Sequence, residues 1–137
     1  RARWLIEEFN KAFKTGCAVS KSQQRSAQAL LKVVALAAPV AWYLLVLRHL
    51  AEHAPKVKAE QVMSKLELKM LRQLKPKLIG RSPKVADVMQ ALASLGGHKK
   101  GNGPPGWLTI ERGRRHLAEQ VAGAQLFMRM TGTCDES

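Results

Sequence analysis

The chain has 137 residues, 46% of them hydrophobic, enough to bury a real core as one domain and too apolar for a disordered chain. Lysine and arginine number 23 against 10 acidic residues, giving a net charge of +13 and a sequence pI of about 10.4. This balance points to a polyanionic partner, nucleic acid first and an acidic membrane second, and does not choose between them. Cys17 and Cys134 are far apart and lack CxxC spacing, which argues against a disulfide framework or zinc site and fits a reducing cytoplasm. No signal-peptide pattern opens the chain, and with Arg1 in first place the N-terminus reads as a cut inside a longer protein.

The first predicted element is a helix from the start to about Lys14. Ala2, Ile6, Phe9 and Phe13 recur at i, i+4, i+7 and i+11 as an apolar face, and Thr15-Gly16 reads as the stop. Beside that face, Arg3, Glu7 and Lys14 follow the spacing Arg-x3-Glu-x6-Lys. At about 100° per residue, Glu7 and Lys14 fall within roughly 40° of Arg3, so the three form one stripe. Arg3 and Lys14 lie about 16 Å apart along the axis, too far to grip one phosphate. They are spaced to bracket a stretch of nucleic-acid backbone with the carboxylate between them. Taken alone, Arg3 and Glu7 read as an ordinary i,i+4 ion pair worth a few tenths of a kcal/mol. Glu8, turned about 100° from the stripe, reads as structural or surface.

A polar stretch over residues 20–26 leads into residues 29–47, which are almost entirely apolar. Lys32 and Arg48 bound only fifteen uncharged residues there, with Pro39 among them. That is short of the ~20 a bilayer-spanning helix needs, so no membrane span is expected. An all-round apolar helix reads instead as the buried central helix of a bundle, kinked at Pro39 and fading over residues 52–55.

Ser64-Lys65-Leu66-Glu67 is a capping-box pattern announcing a third helix, with Leu66, Met70, Leu71 and Leu74 inward and Pro76 ending it. Ser82-Pro83 reads as an N-cap followed by proline at the first helical position. Val85, Val88, Met89, Leu92 and Leu95 continue this fourth helix to Gly96-Gly97. Residues 96–106 hold five glycines and two prolines with His98, Lys99, Lys100 and Asn102, the composition of a surface loop. The last helix is expected from Trp107 to about Met130. Ile110, Gly113, Leu117, Ala124 and Phe127 take heptad positions a, d, a, a and d, with Val121 adjacent, which predicts a helix partner. No convincing period-2 strand and no repeat is found, so the expected fold is all-α: a bundle of about five helices with a kinked buried central helix and a C-terminal dimerisation helix.

At Arg3-Trp4-x-Ile6-Glu7-Glu8-Phe9-x-Lys11-Ala12-x-Lys14-Thr15-Gly16 the chain resembles the bacterial cut-and-paste DDE transposases of the YREK signature group, typified by the transposon-five (Tn-five) enzyme. Three further stretches agree in order: Leu44-Leu45-x-Leu47-Arg48, Ala91-Leu92-Ala93-x-Leu95-Gly96-Gly97, and Trp107-x2-Ile110-x2-Gly113-x3-Leu117-x3-Val121-x-Gly123. The resemblance covers roughly residues 1–130, residues 49–63 being divergent.

The resemblance implies that residues 1–16 are the last helix of an RNase H-like catalytic domain, residues 17–130 an all-α dimerisation domain, and residues 131–137 a tail. It implies that Glu7 is the catalytic third carboxylate of the DDE triad and a ligand to divalent metal, Mg or Mn, in the full-length parent. Arg3 and Lys14 would contact transposon-end DNA, and Gly113, Leu117, Val121 and Ala124 would line a homodimer interface. Two metals would activate water or a 3′-hydroxyl and stabilise the leaving oxygen in phosphodiester cleavage and strand transfer. In the family both triad aspartates lie upstream, and the signature tyrosine would precede Arg1. The expectation is therefore no catalysis and no cofactor for this chain alone, and a cytoplasmic, nucleoid-associated bacterial location.

The alternative is a stand-alone basic helical protein that binds DNA or inhibits transposition through mixed dimers. The run Lys56, Lys58, Lys65, Lys69, Arg72, Lys75, Lys77, Arg81 and Lys84 reads equally as a DNA footprint or as a solubilising surface. His49 and His53 share a helix face but have no carboxylate or cysteine beside them, so no metal site is expected there.

Overall fold

A computed structural model describes residues 2–21, 23–99 and 101–132. Cys134 and the expected tail lie outside the described residues, apart from Thr131 and Gly132. The described residues contain five α-helices and no strand: α1 (Ala2–Lys11), α2 (Ala27–His53), α3 (Lys65–Leu74), α4 (Val85–Leu95) and α5 (Trp107–Thr131). The all-α bundle expected from periodicity is the fold observed.

The chain does not leave α1 by a simple stop. Residues Ala12–Gly16 form a π turn, closed by the Cys17 amide donating to the Ala12 carbonyl at 3.0 Å. Ala12 and Gly16 are both buried, and a Cβ built on Gly16 would touch Trp107 at 3.4 Å and Leu44 at 3.5 Å. The turn is thus part of the core between α2 and α5. Packing runs without a gap across the boundary expected at Gly16.

Helix α2 is 27 residues long and starts where the Ser26 side chain accepts from the Ala29 amide at 3.2 Å. By length and composition it is apolar enough to cross a membrane. Only its second half is buried, through Ala41, Leu44, Leu45 and Leu47; Leu31 and Leu36 in the first half are 67% and 76% exposed. The expectation of a helix buried all round is corrected on this point. The reason is length: α2 spans about 40 Å, whereas α4, which with the π turn packs on it most, spans only about 17 Å.

Helix α3 begins as the capping box predicts, with Ser64 Oγ accepting from the Glu67 amide at 3.3 Å and Glu67 Oε2 accepting from the Ser64 amide at 2.8 Å. Helix α4 starts later than Ser82-Pro83 suggests. Its N-cap is Lys84, whose amide donates to Asp87 Oδ2 at 2.9 Å. Lys84 is held extended, because the Ala59 amide donates to the Pro83 carbonyl at 3.0 Å and the Val85 amide to the Val57 carbonyl at 2.9 Å. Lys58 and Lys84 thereby face each other in an isolated antiparallel bridge. That pairing delays the helix.

Helix α4 ends at Gly96-Gly97 as expected, in a Schellman arrangement: the His98 amide donates to the Ala93 carbonyl and the Gly97 amide to the Ser94 carbonyl, with Gly97 at φ +95°. The core lies among Leu44, Leu47, Leu71, Val88, Leu92 and Ile110, where α2, α3, α4 and α5 converge. Full burial of each such side chain is worth about 1.5 to 3 kcal/mol.

Candidate functional site

The candidate site is the outer surface of α1. Arg3 Nε donates to Glu7 Oε1 at 3.0 Å, and both side chains face solvent, at 92% and 54% exposure. Lys14 is also exposed, but it sits in the π turn. The regular helix expected to run to about Lys14 thus gives way at Lys11 to the wider i→i+5 turn. The structure brings Arg3 and Glu7 together as expected. The uniform spacing assumed for Lys14 is corrected by the π turn.

The inner face of α1 also differs from the periodic reading. Ile6 points outward, 60% exposed, next to the exposed Trp4 and Leu5. Phe9 and Phe13 pack against the core, and the burial of Ala2 is not described. Glu8 turns inward instead: its carboxylate accepts from Lys11 Nζ at 2.7 Å, with only 17% of the side chain exposed. It lines a narrow cleft with Trp4, Leu45, Arg48, Glu52 and Trp107. The structural role read for Glu8 is where the chain puts it.

That cleft contains the residues that hold α1 in place and that periodicity passed over. The Arg48 guanidinium lies over the buried Trp107 ring, 4.7 Å from its centroid, and Arg48 Nε donates to Glu52 Oε1 at 3.0 Å. Trp4 lies against His49, and Phe9 against Trp42, at ring separations of 6.2 and 6.4 Å. The signal in the sequence was Leu47-Arg48 beside Trp107, two matched stretches whose mutual contact no spacing rule expresses.

Among the described residues no group of three or more His, Cys, Asp or Glu side chains comes together to hold a metal ion. Glu7 has a cation as its nearest polar partner and Glu8 points to the other side of the helix. His49 and His53 stack at 4.3 Å, and the His53 ring nitrogen Nδ1 lies 3.1 Å from the His49 carbonyl.

On α5, Gly113 and Leu117 are buried within the chain, Gly113 against the backbone of α4 and Leu117 at 2% exposure. Neither is available to a second copy, which corrects their expected place at an interface between copies. The physical reason is that α4 already occupies the groove of Gly113, while Leu117 sits in the core beside Tyr43 and Met63. Val121 and Ala124 are half-buried, and beyond them Leu126, Phe127 and Met130 are 59%, 65% and 78% exposed.

Comparison of the chain with protein-family models gives no match, and comparison with curated proteins gives none. What bears on function is the arrangement of the chain's own residues.

Proposed function

We propose that the chain is the C-terminal portion of a cut-and-paste DNA transposase, supplying the third acidic ligand, contacts to the transposon end, and a pairing surface for a second copy. The observation that carries this reading is the placement of Glu7. It stands in the Arg-x3-Glu-x6-Lys motif on the outward face of α1, with Arg3 bonded to it and its helix anchored behind by Ala12, Gly16 and the Arg48–Trp107 stack. Exposed Trp4, Leu5 and Ile6 on the same helix give it an apolar surface suited to being covered by a neighbouring domain.

In this reading Glu7 acts only together with the upstream carboxylates, and this chain alone performs no cleavage. Arg3 and Lys14 flank Glu7 and hold DNA backbone. The parent protein works in the bacterial cytoplasm at the nucleoid, and pairing of two copies joins two DNA ends in one complex. The four sequence matches in order favour this over a free-standing DNA-binding or inhibitory protein.

The test is a DNA-nicking assay on the full-length parent carrying Glu7→Gln. Metal-dependent cleavage is expected to disappear while the fold persists, because an exposed i,i+4 pair contributes only a few tenths of a kcal/mol. Cleavage at the wild-type rate removes Glu7 from the catalytic centre. The reading frame upstream of Arg1 supplies the second arm: two acidic metal ligands in a continuous frame are expected, and a start codon close by favours the free-standing protein.

A further inference from the structure

We propose that residues 56–84 form a cationic platform that binds the phosphate backbone of a nucleic-acid duplex. It goes beyond the reading of Glu7 and does not depend on it. Nine of the 23 basic residues fall in this stretch, against two carboxylates, Glu60 and Glu67. Glu67 is already engaged, accepting from the Ser64 amide at 2.8 Å and the Ser64 hydroxyl at 2.6 Å. None of the nine cations forms an ion pair among the described residues, whereas Arg3, Lys11, Arg48 and Arg114 elsewhere each do. All nine are exposed except Lys75, which is half-buried.

The fold turns this run into a surface. Lys58 and Lys84, 26 positions apart, are brought face to face by the antiparallel bridge. Arg72 Nη2 donates to the Gly80 carbonyl at 2.9 Å and lies 3.5 Å from that of Arg81, which ties the loop before Lys84 to helix α3. Lys65, Lys69 and Arg72, at i, i+4 and i+7, form one stripe along α3. The stripe is about 10 Å long, close to the rise of three nucleotides of one strand at about 3.4 Å each.

Like charges gathered this way raise the local positive potential, which draws a polyanion and releases its counterions when phosphates are neutralised. The observations favour nucleic acid over a lipid surface. The large exposed apolar side chains, among them Trp4, Leu31, Leu36 and Phe127, lie outside residues 56–84, so the platform has nothing to insert into a bilayer.

The test is anisotropy of a labelled duplex of about 20 base pairs of arbitrary sequence, titrated at salt concentrations between about 50 and 200 mM. The triple variant Lys58→Gln, Arg81→Gln, Lys84→Gln is expected to make the slope of log K against log salt shallower by about 2 to 3. The pair Lys65→Gln, Lys69→Gln is expected to reduce it by about 1 to 2. A control triple of equal charge, Arg25→Gln, Lys32→Gln, Arg129→Gln, should change it by less than about 1. All these side chains are exposed and the bridge is made by backbone, so circular dichroism spectra should be unchanged. Equal slope changes in target and control variants, or no salt-dependent duplex binding by the wild-type chain, overturn the proposal. So does loss of binding to phosphatidylserine vesicles in the target variants with duplex binding intact. Loss of the Glu7 role in the nicking assay leaves the platform standing, so the two failures are distinguishable.

Discussion

Gly96 and Gly113 meet backbone to backbone where α4 ends against α5. A Cβ on either would lie 3.1 Å from the other's amide nitrogen and collide with a carbonyl oxygen, that of Thr109 for Gly96 and that of Leu92 for Gly113. Backbone on both sides cannot step aside as a flexible side chain would. This contact sets how closely the C-terminal helix approaches the core.

Replacing Gly113 or Gly96 by alanine is therefore expected to destabilise the fold by about 2 to 3 kcal/mol or more, as overpacking does when nothing can relax. Gly123, also within α5, has nothing within 4 Å of its would-be Cβ. There Gly123→Ala should stabilise by up to about 1 kcal/mol through helix propensity. Thermal melts followed by circular dichroism decide it. Gly96→Ala and Gly113→Ala should lower the melting temperature by roughly 10 °C and Gly123→Ala should raise it by a few degrees; a common response of all three sinks the close-approach account.

Tyr43 is the chain's single tyrosine, and burial first, then the Glu67 carboxylate, pushes its phenol up to about 12, with Arg114 pulling the other way. An unfolded tyrosine ionises near 10, so the native state holds this proton more tightly. The stability linked to it is fully present below about pH 10 and is lost as pH rises through about 12, amounting to at most about 3 kcal/mol. Phenolate absorbance reads this one residue directly. Native protein should ionise near pH 12 and protein in strong denaturant near pH 10; coincident curves would mean the ring is not held buried.

Self-association, if it uses α5, must use the end of the helix beyond the contact with α4. Val121 packs partly on the core, so Val121→Glu disturbs fold and interface together. Phe127, 65% exposed, separates the two. Light scattering of the wild-type chain should give the mass of a dimer. Phe127→Asp should give that of a monomer with an unchanged melting temperature, and a dimer mass in Phe127→Asp would place the contact elsewhere.

Much of the architecture was legible because it is local chemistry. Ser64 and Glu67 cap α3 because a hydroxyl and a carboxylate three residues apart reach each other's amides whatever surrounds them. The Gly96-Gly97 stop and the single-turn neighbours Arg3 and Glu7 are legible for the same reason. Ser82-Pro83 carried an equally local signal and lost, since pairing of Val57 and Ala59 with residues 83 and 85 held the chain extended past it. Tertiary hydrogen bonds outweighed a cap preference of about 1 kcal/mol.

The pattern of residues along the chain thus settles that these are helices, roughly where each begins and ends, and that Glu7 stands beside Arg3. It is blind to which apolar surface finds a partner. The heptad in α5 reads the same whether the groove of Gly113 is filled by a second copy or by α4. The run of apolar residues in α2 reads the same whether both halves are covered or one, and a uniform helical spacing hides the π turn that carries Lys14. Periodicity states which side of a helix prefers to leave water. What fills the space beside it depends on the lengths and crossing points of the other helices, and those exist only once the chain has packed.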